Sequence, residues 1–297
     1  MPKKNRAGDR VFVLFNTAFF IVLALLCLLP IVNVLAVSFS SSTAAGAGIV
    51  TLWPVDFTLK SYQYALNKPE FLQSLVVSVE RLGTGVALNM LLTIVCAYPL
   101  SKDKKTFRWR GPYLWFFFIT MVFSGGLIPW YMTIQNLHLG NTLWALILPG
   151  AVPVFNVILL LNFFRGVPKE LEESAAMDGA TVWQVLWKIV VPLSKPALAT
   201  IALFSAVGHW NSWFDGLVLM SDPKNYPLQT YLQTVVVSRD MTLFQHATRE
   251  QLEMLQAISD RTTKAAQIFI ATLPILLVYP FLQRYFVKGL TLGAVKG

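Results

Sequence analysis

Charge is scarce in this 297-residue chain: Asp, Glu, Lys and Arg together make up 13% of it. Soluble globular domains carry about 25%. With 55% hydrophobic residues and a mean hydropathy of +0.58, that shortage excludes an ordinary soluble fold and makes a polytopic membrane protein the first expectation. Cysteine is nearly absent. Cys27 and Cys96 both lie in apolar runs, which excludes a disulfide framework and a thiolate metal site. The three histidines, His138, His209 and His246, stand far apart and off metal-ligand spacing. There is no Walker A sequence, so the chain does not cradle ATP in the P-loop manner. No Ser/His/Asp set or paired-carboxylate signature marks a catalytic centre, and no internal repeat, low-complexity tract or soluble second domain stands out. Nor does the start read as a cleaved signal. The run after Lys3, Lys4, Arg6 and Arg10 is about 27 residues long, which suits a retained span.

What is present is a series of long apolar runs. Six approach the roughly 20 residues a helix needs to cross a bilayer: Val11–Val37, Leu75–Leu100, Pro112–Ile134, Thr142–Phe164, Ala197–Met220 and Ala265–Phe286. They are continuously hydrophobic rather than alternating, so helices are expected and not barrel strands. Pro30, Pro129, Pro149, Pro153 and Pro274 fall inside them and predict kinks.

The net charge of +9 could point to nucleic acid, but the cations lie in clusters between the apolar runs. Sixteen sit at the N-terminus, in the 101–111 link, in the central 165–196 loop and in the tail; seven fall in the alternate loops. The positive-inside rule then places both termini and the central loop in the cytoplasm. Arg81, inside the second run next to Glu80, is left without a side; a local or interhelical ion pair is the plain account, and contact with an anionic substrate the weaker alternative.

Of the alternate loops, residues 38–70 open on a Ser/Ala/Gly-rich stretch. Trp53-Pro54 and Phe57-Thr58-Leu59 follow, read as a turn and a helix on the membrane surface. In the long 221–264 loop, Pro227 can start a helix with Leu228, Tyr231, Leu232 and Val235 on one face. A second helical pattern runs from Arg249 to Arg261.

The central loop, residues 167–196, carries soluble-helix punctuation. Pro168 suits a first turn, Glu170, Glu172 and Glu173 suit a helix N-terminus, and Gly179 falls where a left-handed cap belongs. Thr181 and Gln184 have capping-box spacing, so a second helix should run to Ile189, with Pro192 and Pro196 ending it.

Glu173-Ser174-Ala175, then Gly179, Ile189 and Pro192 at the intervals of three and nine residues, resembles the "EAA" loop of ABC-transporter permeases. Ser174 and Val191 stand where that pattern has Ala and Leu. Leu171, Asp178-Gly179-Ala180, Pro196-Ala197-Leu198 and the tail from Tyr285 to Gly297 are similar to the carbohydrate-uptake branch, in particular the smaller subunit of maltose-type permeases. The resemblance implies an all-α membrane protein of six transmembrane helices, the type I ABC importer domain. Residues 1–70 would form the tail, first span and outer loop, and 71–297 the permease core.

It further implies a prokaryotic inner or plasma membrane location and no catalysis in this chain. A homologous second permease, an ATPase dimer that holds ATP and Mg, and an extracytoplasmic sugar-binding protein would be its partners. Leu171, Glu173, Ser174, Ala175, Met177, Asp178, Gly179, Ile189 and Pro192 would couple the spans to the ATPase. Leu228, Gln229, Tyr231, Leu232 and Gln233 would meet the binding protein; headgroups are the other candidate for that apolar face.

For the sugar pathway, Trp210, Asn211, Trp213 and Asp215 offer rings and hydrogen-bonding groups at membrane depth. An aromatic belt at the membrane interface is the plain alternative. Asn89 and Asn156 join them, with interhelical hydrogen bonding as their simpler role. An ion-coupled secondary transporter and a membrane enzyme for lipid-linked sugars are the rival functions. Neither the repeat symmetry of the first nor the acid/base or metal cluster of the second is visible.

Overall fold

The computed structural model describes residues 7–237 and 260–293, which are helical and irregular with no strand among them. Fifteen α-helical segments occur in that stretch. They are α1 (Ala7–Ser38), α2 (Ser42–Gly46), α3 (Lys60–Asn67), α4 (Pro69–Ser101), α5 (Arg110–Val122), α6 (Leu127–Asn136), α7 (Leu143–Ile147) and α8 (Val154–Phe164). There follow α9 (Lys169–Met177), α10 (Val182–Val185), α11 (Val191–Leu193), α12 (Lys195–Asn211), α13 (Phe214–Leu219), α14 (Leu228–Val237) and α15 (Asp260–Gly293). The Arg249–Arg261 pattern and the last residues of the tail fall largely outside the described residues.

The first two apolar runs form unbroken helices long enough to cross a membrane, Arg10–Ser38 and Pro69–Ser101. The next three do not. The third is two helices, α5 and α6, meeting at 112°; the fourth bends by 48° between Leu143–Gly150 and Val154–Phe164. Counting each bent pair as one span gives up to five among the described residues.

The cause differs at each break. Between α5 and α6 lies Ser124-Gly125-Gly126, with Gly126 at φ +87°, a conformation that side chains with a Cβ disfavour. Pro129, expected to kink that run, sits in the first turn of α6, where its missing N–H is harmless. Pro149 and Pro153 do lie in the fourth run's bend. The fifth run stops at Ser212-Trp213 and restarts as α13, a break with neither Pro nor Gly in it. Pro30, by contrast, lies inside an unbroken helix.

The chain divides into two compact units. The first comprises residues 1–69 and 234–272. In it Ala36, Val37, Ala44, Ala45, Val50 and Ala265 pack together, and Asn33 Nδ2 donates to the Thr51 carbonyl at 2.6 Å. Ser38 and Tyr62 share a hydroxyl–hydroxyl bond of 2.7 Å, and Phe39 stacks on both Phe57 and Tyr62. The expected surface helix around Phe57 is absent: Asp56 has φ +52° and helix begins only at Lys60.

The second unit comprises residues 70–233 and 273–297. Its main core joins α4 (Ile94, Ala97), α8 (Val157, Leu160) and α12 (Leu198, Ile201) to Leu186 and Val190 of the central loop. Ala97, Leu160 and Ile201 have no exposed surface. A smaller cluster holds Ile134, Ala145, Leu146, Leu219 and Met220. Truncating such a residue to Ala costs about 2–5 kcal/mol through lost contacts and the cavity left behind. The central loop is thus packed into the helical core of this unit and not draped over it.

Candidate functional site

Two places in the second unit gather polar side chains. The first is at the broken helices. Where α7 tightens into a 3-10 turn and where α12 stops, carbonyls lose their intrahelical donors. Arg81 of α4 supplies them: its Nη2 donates to the Leu146 carbonyl at 3.3 Å and its Nη1 reaches the Ser212 carbonyl at 3.5 Å. A guanidinium at two helix C-termini also suits their negative dipole ends.

The same guanidinium forms a two-pronged ion pair with Asp215, which opens α13. Asp215 Oδ1 accepts further from Ser212 Oγ at 2.8 Å and from the Gly216 N–H at 2.9 Å. Thr230 of α14 completes the repair by donating to the Trp213 carbonyl at 2.8 Å. Arg81 is therefore paired across helices with Asp215, while Glu80 beside it is exposed.

Arg81 and Asp215 form one wall of a cavity of about 460 Å³. Asn89, Asn156, Ser205, His209 and Trp130 are among its other lining residues. Asn156 Nδ2 donates to Ser205 Oγ at 3.2 Å, and His209 Nε2 lies 3.4 Å from Asn89 Oδ1. His209 fits because Gly85 has no side chain: a Cβ there would stand 2.6 Å from the imidazole.

Of the six residues expected along a sugar pathway, Asn89, Asn156 and Asp215 line this space. Trp210 is buried outside the lining, and Asn211 and Trp213 are exposed outside it. Arg81, His209 and Trp130 are lining residues that sequence reasoning did not place there. For Arg81 the available signal was its cost: an arginine inside an apolar run demands a partner.

The second place is the central loop. α9 ends in a Schellman motif, with the Gly179 N–H on the Ala176 carbonyl and the Ala180 N–H on that of Ala175. Gly179 has φ +80°, as its position requires. The Thr181–Gln184 capping box is present in both directions. Pro168 is the N-cap and not the first helical residue.

Pro192 does not end the second helix. Leu186–Val190 forms a π-turn, the helix continues through Pro192 to Leu193, and the 84° bend follows at Ser194. The wider π ring alters which carbonyls face the proline, and so makes room for a residue that offers no N–H.

Two ion pairs fasten this loop. Glu172 pairs with Lys102, whose ammonium lies 4.0 Å over the Tyr98 ring, and Tyr98 Oη donates to Glu172 at 3.4 Å. Lys169 pairs with Asp103 on the surface. The hydrogen bond and charge of Lys169 hold the Asp103 carboxyl below its usual range, and Asp103 raises Lys169 in return. Ala175 packs inward against the core. Leu171 is 42% and Met177 88% exposed, and Glu173, Ser174, Asp178 and Pro192 also face out. Ile189, in the π-turn, is half-buried.

Residues 106–292 match the family described as "Binding-protein-dependent transport system inner membrane component". The chain belongs to that family. Among its relatives, Protein LplC of Bacillus subtilis (strain 168) is 41% identical over 99% of this chain and 97% of that protein. The polygalacturonan/rhamnogalacturonan transport system permease protein YtcP of the same organism is 39% identical over 97% and 99%. A solved structure, described as a bacterial ABC transporter involved in the import of the acidic polysaccharide alginate, superposes with a TM-score of 0.87. It covers 96% of this chain and 100% of its own at 33% identity. The six-run fold class is therefore that of an importer's membrane component, with its spans bent where described above.

In this inner-membrane component, α14 is the remaining stretch singled out from sequence. Leu228 has no exposed surface and its N–H donates to Ser78 Oγ at 2.7 Å. Tyr231 meets Phe71 edge-on at 6.1 Å, and Leu232 is buried. The face expected to meet a binding protein or headgroups thus packs on α4 in large part, and Gln229 and Gln233 are left half-buried.

Proposed function

We propose that this chain is one of two membrane subunits of an ATP-driven importer of an oligosaccharide, and that it makes no or breaks no covalent bond itself. The observation that carries this reading is the central loop. It is tied to the end of α4, where Glu172 meets Tyr98 and the following Lys102, and yet exposes Met177, Leu171, Val182 and Trp183. A small knob with that much bare apolar surface calls for a protein partner on the side where it projects. A separate ATPase, binding ATP and Mg, fits that role: when it closes, the knob moves and the spans follow. Residues 169–179 make the contact, with Glu173, Ser174 and Asp178 around the Met177–Leu171 patch.

The cation distribution supports both termini and the knob lying in the cytoplasm. The cavity beside α4, α8 and α12 is this chain's share of the path, with Asn89, Asn156 and Asp215 on its wall. The relatives' names support a glycan as cargo. A homologous second permease completes the path, and an external binding protein delivers the sugar. Gln229, Tyr231 and Gln233 of α14 keep partly exposed surface open to it.

Reconstitution decides the matter. The chain is assembled in proteoliposomes with its second permease, ATPase and binding protein, and uptake of defined labelled oligosaccharides is followed. Uptake that needs ATP and the binding protein is the expected result. Uptake driven by an ion gradient without the ATPase would overturn it in favour of a secondary transporter.

A further inference from the structure

Besides the titratable His209, two charged side chains line the cavity, and they are engaged with each other. Each of Arg81's two Nη atoms has two acceptors: Ser212 O and Asp215 Oδ1 for one, Leu146 O and Asp215 Oδ2 for the other. Its Nε is buried and without a partner, but a single N–H does not make the fork that grips a carboxylate. A ligand carboxylate would have to evict Asp215. That group is held by Ser212 Oγ and the Gly216 N–H as well, and is tethered three residues from the carbonyl that Arg81 also binds. Eviction would leave the Asp215 charge uncompensated in a partly buried site.

We infer that the cavity recognises neutral hydroxyl groups and not carboxylates, because the Arg81–Asp215 pair presents it with no net charge. This rests on the cavity being part of the glycan path. Its remaining polar side chains, Asn89, Asn156, Ser205 and His209, pair donors with acceptors, the pattern that matches a sugar hydroxyl. The Trp130 ring adds a flat apolar surface for the carbon face of a sugar. Among the described residues, Arg81 is the one Lys or Arg that lines the cavity. Where the cargo is acidic, its carboxylates are read on another subunit, and this wall discriminates by hydroxyl pattern and size.

The test measures the potential in the cavity without requiring transport. Gly208 lines it and has open space around the Cβ position, so Gly208→Cys, with Cys27 and Cys96 replaced by Ser, puts one thiol there. The assembled transporter is treated at pH 8, where an imidazole of ordinary pKa about 6.5 is neutral. The reagents are a sulfonate-bearing and a trimethylammonium-bearing methanethiosulfonate, with rates normalised to a free thiol.

The expected anion-to-cation ratio is within about threefold of one. Asp215→Asn, which unmasks Arg81, should raise it about tenfold or more, and Asp215→Glu should restore it. A wild-type ratio already favouring the sulfonate tenfold, or no change in Asp215→Asn, would overturn the inference. If Asp215→Asn does not assemble, the wild-type ratio alone decides. Failure of ATP-driven uptake with a ratio near one would instead strike the proposed function.

Discussion

The Arg81–Asp215 pair and the Lys102–Glu172 and Lys169–Asp103 pairs use the same chemistry in different surroundings. Arg81 is 3% and Asp215 17% exposed, and between them they carry hydrogen bonds to the ends of three broken helices. Lys169 and Asp103 are 69% and 63% exposed and join two surface segments only. Lys102 and Glu172 lie between these extremes. The buried pair is scaffolding, since removing either member strands the other together with orphaned carbonyls. The surface pair is an adjustable fastener, cheap to loosen. Depth, and not the identity of the charges, separates the two roles.

Breaking the buried pair should give the largest effect. Arg81→Ala or Asp215→Ala leaves an uncompensated charge and should cost about 3–5 kcal/mol, seen as a large fall in thermal stability and yield of the purified subunit. The volume-matched double change Arg81→Met with Asp215→Leu should recover part of that loss. If the single variants are as stable as wild type, the scaffolding role is wrong.

Next is the knob's turn. Gly179→Val places a β-branched residue at φ +80° and should cost on the order of 1–2 kcal/mol locally. Membrane insertion should persist while transport and transport-linked ATP hydrolysis fall. A cysteine at Met177 should crosslink to the ATPase more readily than one at Ala175, which faces the core.

Glu172→Gln should have a smaller effect, about 1 kcal/mol or less by thermal unfolding in detergent. Its signature is a loss of coupling between ATP hydrolysis and uptake greater than the loss of stability. Asp103→Asn should do least, with no resolvable change in stability near neutral pH. Because Asp103's carboxyl is lowered in the folded chain, whatever it contributes is present above the ordinary carboxylate range and is lost as pH falls through its lowered value. A wild-type-minus-Asp103→Asn difference that grew as the pH was lowered through the carboxylate range would contradict that sign.

The same contrast explains what could be read from sequence. Gly179, Thr181 and Gln184 act on neighbours a few residues away, so the turn and capping box were legible from spacing. The Arg81–Asp215 pair joins residues 134 apart, and nothing local to either announces the other. The break at Ser212-Trp213 was hidden for the same reason: its stability comes from Arg81 and Thr230, elsewhere in the chain. At the third run the Gly125-Gly126 signal was present, but the continuous hydrophobicity around it reads as one span. Pro192 misled because a proline's effect depends on the ring it meets, and a π-turn is not written in composition.

That π-turn has a mechanical consequence. A single π-turn is equivalent to one residue inserted into an α-helix, and each α-helical residue advances the azimuth by about 100°. The direction in which α9 and α10 project relative to Val191–Leu193 is therefore set by one residue's worth of phase at Leu186–Val190. Like a gear tooth cut a quarter-turn from its neighbours, the knob could mesh with the proposed ATPase only in that phase. A one-residue deletion there would keep almost every side chain and still leave the tooth facing the wrong wheel.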